Sequence, residues 1–272
     1  MSDQEKNGGA FRRASAVEPL GDLRFRASVP AGWEQGKGAF GGLVLGAMLR
    51  AMEASEPEPR RVRTLSGEVC APVLAGEATI EVEILRRGGR ATYLDARLRQ
   101  RDNEIAARAS AVLSTDRPAA RARGLLRPPT ELPPVEALPR LPVMPPLAPV
   151  FTSHYAFHAP GGVPFQGGDA PRSMGYVGEA APPETLDAPD VVGLLDAWWP
   201  AFAVVEERPR PLATVQFTAE FPVDPTGLTG ATLFGYRGRA DAIGDGFSVE
   251  MRELWAGDQL VALNQQTFVV LK

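Results

Sequence analysis

Cysteine is nearly missing from this chain: Cys70 stands alone among 272 residues. A single thiol excludes an intramolecular disulfide and any zinc site built on several thiolates. Cys70 lies between Val69 and Ala71 in a strand-like pattern, so it reads as a buried structural thiol. Histidine is almost as scarce, with only His154 and His158. Two imidazoles without clustered acids make a poor metal set, and a histidine general base would have to be one of these two. No apolar run reaches the roughly 18 residues of a membrane helix. Residues 1–15 hold neither an apolar segment nor a cleavage pattern, which argues against a secretory leader. There is no Gly-x-Ser-x-Gly for a serine hydrolase elbow. These absences set the expectation of a soluble, reduced, cytoplasmic protein with no metal and no cofactor.

What is present is globular. Apolar residues make up 44% and charged residues 23%, enough for a sizeable core at this length. The net charge of −4 does not suit a nucleic-acid binder. It is unevenly spread: residues 1–150 carry 22 basic and 18 acidic side chains, residues 151–272 carry 7 and 15. The basic residues are mostly arginines, clustered as Arg60, Arg61, Arg63 and as Arg97, Arg99, Arg101. Such forks suit phosphate, although a solvated surface explains any one of them equally well.

Ten prolines fall between Pro118 and Pro149, a density that no helix or central strand tolerates. Residues 118–149 therefore read as an irregular crossover. It separates residues 20–117 from 150–272, with residues 1–19 as a tail. Each half shows the same order of elements. In the first, Arg24–Val29 alternates as a strand. The glycine-rich stretch from Gly36 to Gly42 follows, and then Phe40, Leu43, Val44, Ala47, Met48, Ala51 and Met52 form one helical stripe. Ala78, Ile80, Val82 and Ile84 alternate with polar residues as a strand with one wet face. Thr92–Arg99 and Ile105–Leu113 complete the set. In the second half, Phe151–Phe157 and Met174–Val177 are strand-like, with His154 and His158 on one face. Asp187, Pro189 and Asp190 open a helix whose stripe is Val191, Leu194, Leu195, Trp198, Trp199 and Phe202. Strands follow at Leu212–Phe221, Ala231–Arg239, Phe247–Trp255 and Leu260–Leu271. Both helices are apolar nearly all round, so each is expected to be buried. A single helix followed by a run of strands argues for α+β architecture and against a parallel doubly wound sheet. For that reason Gly36-x-Gly38-x-x-Gly41 is set aside as a dinucleotide signature.

The segment Phe40-Gly-Gly-Leu-Val-Leu-Gly-Ala-Met-Leu-Arg50, with strands at Arg61–Pro72 and Gly76–Arg87, resembles the start of a double hotdog acyl-CoA thioesterase of the bacterial thioesterase II type. Leu195-Asp196-Ala-Trp-Trp-Pro200, Ala213-Thr214-Val215-Gln216 and Val261-Ala-Leu-Asn-Gln-Gln266 fall where that family has its catalytic segments. The resemblance covers residues 20–117 and 150–272 and rests on the order of five short motifs. It implies two tandem hotdog units, each a curved antiparallel sheet around a long helix. It also implies hydrolysis of acyl-CoA without a metal or cofactor, with catalytic Asp196, Thr214 and Gln266. Two positions depart from the family: Trp198 stands where Asn is frequent, and Gln216 where Asp is frequent.

Thioester hydrolysis needs a water aimed at the carbonyl carbon and donors for the oxyanion. Burial of Asp196 among Leu194, Leu195, Trp198 and Trp199 would raise its pKa and suit it as base; its position off the stripe equally suits a solvated acid. Strand alternation places Thr214, Gln216 and Thr218 on one face, and Gln265 and Gln266 on opposite faces, so only one of the two glutamines serves. Gly41 and Gly42 at the first helix's start are the expected oxyanion and substrate-binding positions. Trp198 and Trp199 are expected at the acyl pocket, and the first-half arginines at the CoA phosphates. Exposed sheet edges allow a homo-oligomer. Two other readings share the resemblance: a hotdog hydratase or dehydratase, told apart by its product, and a non-catalytic acyl-CoA binder, told apart by binding without turnover.

Overall fold

A computed structural model describes residues 8–117, 124, 126–145 and 148–271. Parts of the expected tail and crossover, residues 1–7, 118–123, 125 and 146–147, lie outside that set, as does residue 272. The elements are helix α1 (Ala10–Ala14), strands β1 (Val17–Gly21) and β2 (Arg24–Val29), a small hairpin of β3 (Glu34–Gln35) and β4 (Gly38–Ala39), and helix α2 (Gly41–Ala54). Strands β5 (Arg61–Val69), β6 (Gly76–Arg87), β7 (Ala91–Gln100) and β8 (Glu104–Ser114) follow. After the crossover come β9 (Tyr155–His158), β10 (Arg172–Glu179), α3 (Ala188–Ala197), β11 (Leu212–Glu220), β12 (Phe234–Gly244), β13 (Phe247–Ala256) and β14 (Gln259–Val270).

Among the described residues, 12 strands form one antiparallel sheet in the order β1-β2-β6-β7-β8-β5-β11-β14-β13-β12-β10-β9. The order is a palindrome by role: β5 and β11 each follow a helix and meet at the centre, and β8 and β14 flank them. The join is a direct ladder, with Gly67, Ser66, Leu65 and Thr64 opposite Phe217, Thr218, Ala219 and Glu220. Within β6, Ala78, Ile80 and Val82 are buried while the alternate residues are not. The sheet therefore has an inner face that wraps the helices and an outer face toward water. Both helices are buried along most of their length, as the all-round apolar pattern requires. No helix among the described residues is long and apolar enough to cross a membrane.

Within the expected tail, residues 10–14 form α1 and β1 begins at Val17. Phe11 of α1 inserts between the two long helices, where Gly46 and Gly193 leave room: a Cβ there would lie 2.8 and 2.5 Å from its ring. Arg50 of α2 donates to Asp187 (2.6 Å), Asp190 (2.9 Å) and Ser15 (2.8 Å), and Arg12 donates to Asp190 (2.6 Å). One charged cluster thus fastens all three helices together.

Three local expectations are corrected. The second helix stops at Ala197, and Trp198 is extended at φ −75°, ψ 146°. Pro200 disfavours helix in the residue before it, so Trp198, Trp199 and Phe202 lie beyond the helix. Val150–His154 is a 3-10 turn opened by Pro149, not a strand. His154 and His158 consequently share no strand face: His154 stacks on Trp33 at 3.9 Å, and His158 Nδ1 lies 3.1 Å from the Leu138 carbonyl. Cys70 is exposed rather than buried, because it falls just past the end of β5.

Candidate active site

The inner face of β13 and β14 is polar, which is unusual for a sheet wrapped on a helix. Ser248, Glu250 and Arg252 point inward from β13, and Asn264, Gln266 and Phe268 from β14, all of them buried. The cross-strand register places Glu250 opposite Gln266 and Arg252 opposite Asn264. The last turn of α3 lies on this layer and brings Asp196 to it.

Asp196, Thr214 and Gln266 meet there. Gln266 Nε2 donates to Asp196 Oδ1 at 2.7 Å and to Thr214 Oγ1 at 2.8 Å. The amide orientation follows from chemistry, since a carboxylate only accepts. Gln265, on the other face, is exposed. Thr214 reaches the inner face through a β-bulge. Opposite β14, the register shifts between Thr214, which pairs with Phe268, and Gln216, which pairs with Thr267. The extra residue, Val215, breaks the alternation. Thr214 therefore faces inward, while Gln216 and Thr218 face outward, where Gln216 Nε2 donates to Ser66 (3.0 Å) and Thr218 (2.6 Å). The expected shared face of Thr214 and Gln216 is thus absent.

The start of α2 completes the arrangement. Gly42 N–H donates to Asp196 Oδ2 at 2.6 Å, so this hydrogen, expected to face a substrate oxygen, goes to the carboxylate. Gly41 N–H has no acceptor among the described residues. A Cβ on Gly41 would lie 3.0 Å from Asp196 Oδ2, and one on Gly42 would lie 2.6 Å from the Phe40 ring and 3.0 Å from Asp196 Cβ. Only glycine allows the helix start to close on the acid. Asp196 is 8% exposed. Burial pushes its carboxyl above the usual range, while the Arg252 charge, the Gln266 amide and the Gly42 N–H pull it back.

Trp198 is fully buried and stacks on Tyr236 at 4.8 Å. Trp199 lies 4.3 Å from Trp198 and donates Nε1 to the Gly162 carbonyl at 2.8 Å. Gly162 is on the wall of a cavity of about 240 Å³ with Pro160, Gly161, Arg172, Ser173 and Met174. That wall contains none of the three polar residues. Of the first-half arginines, Arg61 and Arg63 pair with Asp116, Arg97 with Glu83 and Arg99 with Glu81, while Arg60 is buried beside Glu56.

Sequence reasoning missed Arg252 and Glu250. Arg252 is 1% exposed, donates to the Leu195 carbonyl at 3.1 Å and pairs with Glu250 at 3.3 Å. The available signal was the inverted alternation of β13, in which Val249 and Met251 face outward.

Comparison with known proteins identifies the family and the fold. Residues 29–114 match the family described as acyl-CoA thioesterase N-terminal domain, and residues 129–270 the acyl-CoA thioesterase C-terminal domain. No curated protein matches the chain. Among solved structures, a conserved protein of unknown function with hot dog fold from Alicyclobacillus acidocaldarius is 22% identical over 97% of this chain and 98% of its own, with a TM-score of 0.86. The acyl-CoA thioesterase II TesB2 from Mycobacterium marinum is 17% identical over 96% and 98%, with a TM-score of 0.75. The dehydratase domain of RzxB from Pseudomonas fluorescens is more remote, 10% identical over 92% and 95%, with a TM-score of 0.54. At these identities the solved structures establish the hotdog fold.

Proposed function

The chain belongs to the acyl-CoA thioesterase family, whose two halves it matches in order, and on that footing we propose that it hydrolyses an acyl-CoA by attack of a water that Asp196 deprotonates. The water sits between the Asp196 carboxylate and the Thr214 hydroxyl. Gln266 holds both: its two amide hydrogens go to the two residues, which leaves the Thr214 proton free to orient the water. As the water oxygen bonds to the carbonyl carbon, its proton passes to Asp196 and the carbonyl oxygen becomes an oxyanion. Gly41 N–H, at the positive end of α2, receives that charge. Collapse of the tetrahedral intermediate breaks the carbon–sulfur bond, and Asp196 returns the proton to the CoA thiolate.

The single observation that carries this reading is the Gln266 amide bridging Asp196 and Thr214 on a buried inner face. Burial raises the Asp196 pKa above the usual carboxylate range, the direction that suits a general base. In this reading the hotdog of residues 20–117 supplies the helix start, the hotdog of residues 150–272 supplies the three polar residues, and residues 118–149 join them. Trp198 and Trp199 border the acyl chain, and the role is a cytoplasmic one in fatty-acid metabolism. The test is release of CoA thiol from a series of saturated straight-chain acyl-CoAs by the wild-type chain and by Asp196→Asn. Turnover by the first and not the second is expected. Binding without release by the wild-type chain overturns the reading.

A further inference from the structure

Outside the trio, the most heavily buried charges beside it are Arg252 and Glu250 on β13, 1% and 0% exposed. Burying such a pair is costly unless every contact serves it. Arg252 Nη1 donates to the carbonyl of Leu195, the residue before Asp196, at 3.1 Å. Its Nη2 meets Glu250 Oε2 at 3.3 Å. The guanidinium also lies 5.0 Å from the centre of the Phe268 ring, and Phe268 is the cross-strand neighbour of Thr214. Glu250 Oε1 accepts the Phe202 N–H at 3.0 Å, in the turn that follows α3. The pair therefore grips the chain on both sides of the Trp198–Pro200 break. α3 has no capping glycine and no basic residue in its last turn, so Arg252 does from the sheet what a C-terminal cation does within a helix.

We propose that Arg252, braced by Glu250, is a positioning residue for hydrolysis: it anchors the last turn of α3, which carries Asp196, and sets the charge beside that carboxylate. The inference rests on the reading of Asp196 as base. The groups that act on Asp196 are Arg252 from β13, Gln266 from β14 and the Gly42 N–H from α2; Tyr236 of β12 and Tyr155 of β9 feel its charge, and Glu250 reaches it through its ion pair with Arg252. Both tyrosines are held neutral by burial, which raises their pKa values further above neutrality. That leaves Arg252 as the cation beside the acid, with Glu250 as its ion-pair partner at 3.3 Å.

The experiment is the pH dependence of kcat/KM for acyl-CoA hydrolysis in wild type, Arg252→Met, Arg252→Lys and Glu250→Gln, with Asp196→Asn alongside. Removing the cation raises the Asp196 pKa, so Arg252→Met is expected to move the acid limb up by about one pH unit. It is also expected to lower kcat by tenfold or more, on the order expected of a displaced base, with KM little changed. Arg252→Lys keeps the charge and is expected to leave the limb in place with a partial loss of kcat. Glu250→Gln retains the acceptor for Phe202 N–H but leaves the cation unneutralised, so its limb is expected to move down. A role in packing alone moves the limb in neither variant. Limbs that coincide with wild type, or that shift in the same direction, overturn the inference. Should Arg252→Met fail to fold, Glu250→Gln decides by the sign of its shift. An inactive Asp196→Asn with unmoved limbs overturns this inference alone; an active Asp196→Asn removes the base and the inference with it.

Discussion

Gly42 N–H and Asp196 Oδ2 lie 2.6 Å apart although 154 positions separate them in the chain. The bond joins the start of one long helix to the end of the other. It makes the acid of the second half dependent on a glycine of the first.

Asp196→Asn is expected to lower kcat by about 100- to 10,000-fold, the range for loss of a general base. Thermal unfolding is expected to stay near wild type. The new amide still accepts from Gly42 N–H, and Gln266 Oε1, buried without a partner, can turn to accept from its nitrogen. Released CoA thiol and a melting curve on the same sample check both parts.

Thr214 is expected to act through its hydroxyl and not its methyl. Thr214→Ser should retain most of the turnover. Thr214→Val, equal in shape, should lose roughly tenfold or more, of the order of one charge-assisted hydrogen bond. Equal rates for the two variants would remove Thr214 from water orientation.

The two glycines at the start of α2 are expected to separate. In Gly42→Ala the new Cβ meets the buried Phe40 ring at 2.6 Å, so stability should fall by about 1–3 kcal/mol. In Gly41→Ala the only close atom is Asp196 Oδ2, at 3.0 Å. That variant should keep its urea midpoint and lose activity, because the carboxylate must shift. Unfolding curves beside initial rates distinguish the two.

Glu179 gives a stability signature in pH. It is 8% exposed, and neither carboxylate oxygen has a hydrogen-bond partner. Burial, with Asp190 nearby, raises its pKa from about 4.5 to about 8, and the Phe11 backbone N–H and Arg12 offset this only partly. Between those values the folded state holds a proton that the unfolded state releases, so stability falls as pH rises through this window and levels off above it. Glu179→Gln removes this slope. Its melting temperature should match wild type near pH 4.5 and exceed it near pH 8. Parallel melting temperatures across the range would show that the carboxyl does not titrate in this way.

Much of the scaffold was legible because it follows simple periods. The α2 stripe from Phe40 to Met52 and the β6 alternation from Ala78 to Ile84 are where one-dimensional pattern and burial agree. The end of α3 was marked by Pro200, but the apolar spacing of Trp198, Trp199 and Phe202 continued past it. The structured α1 was not visible, since five residues are too few to show a helical period. For the site, spacing alone could not join residues as far apart as 196 and 266. The three positions came from family resemblance, and their contact came from the fold. β13 misled for a physical reason. Its inner neighbours are Gln266 and Asn264, so Glu250 and Arg252 face inward and Val249 and Met251 outward, the reverse of the usual rule.

The insertion at Val215 carries one more implication. Side-chain direction along β11 is a matter of counting: were Val215 drawn into a regular ladder, Thr214 would share the outward face of Gln216 and its hydroxyl would point to solvent, whereas excising Val215 would set Thr214 next to Gln216 and leave it facing inward. A homologue lacking that residue would still assemble the trio, whereas one that kept it but paired it regularly would retain every member in its sequence and lose the contact.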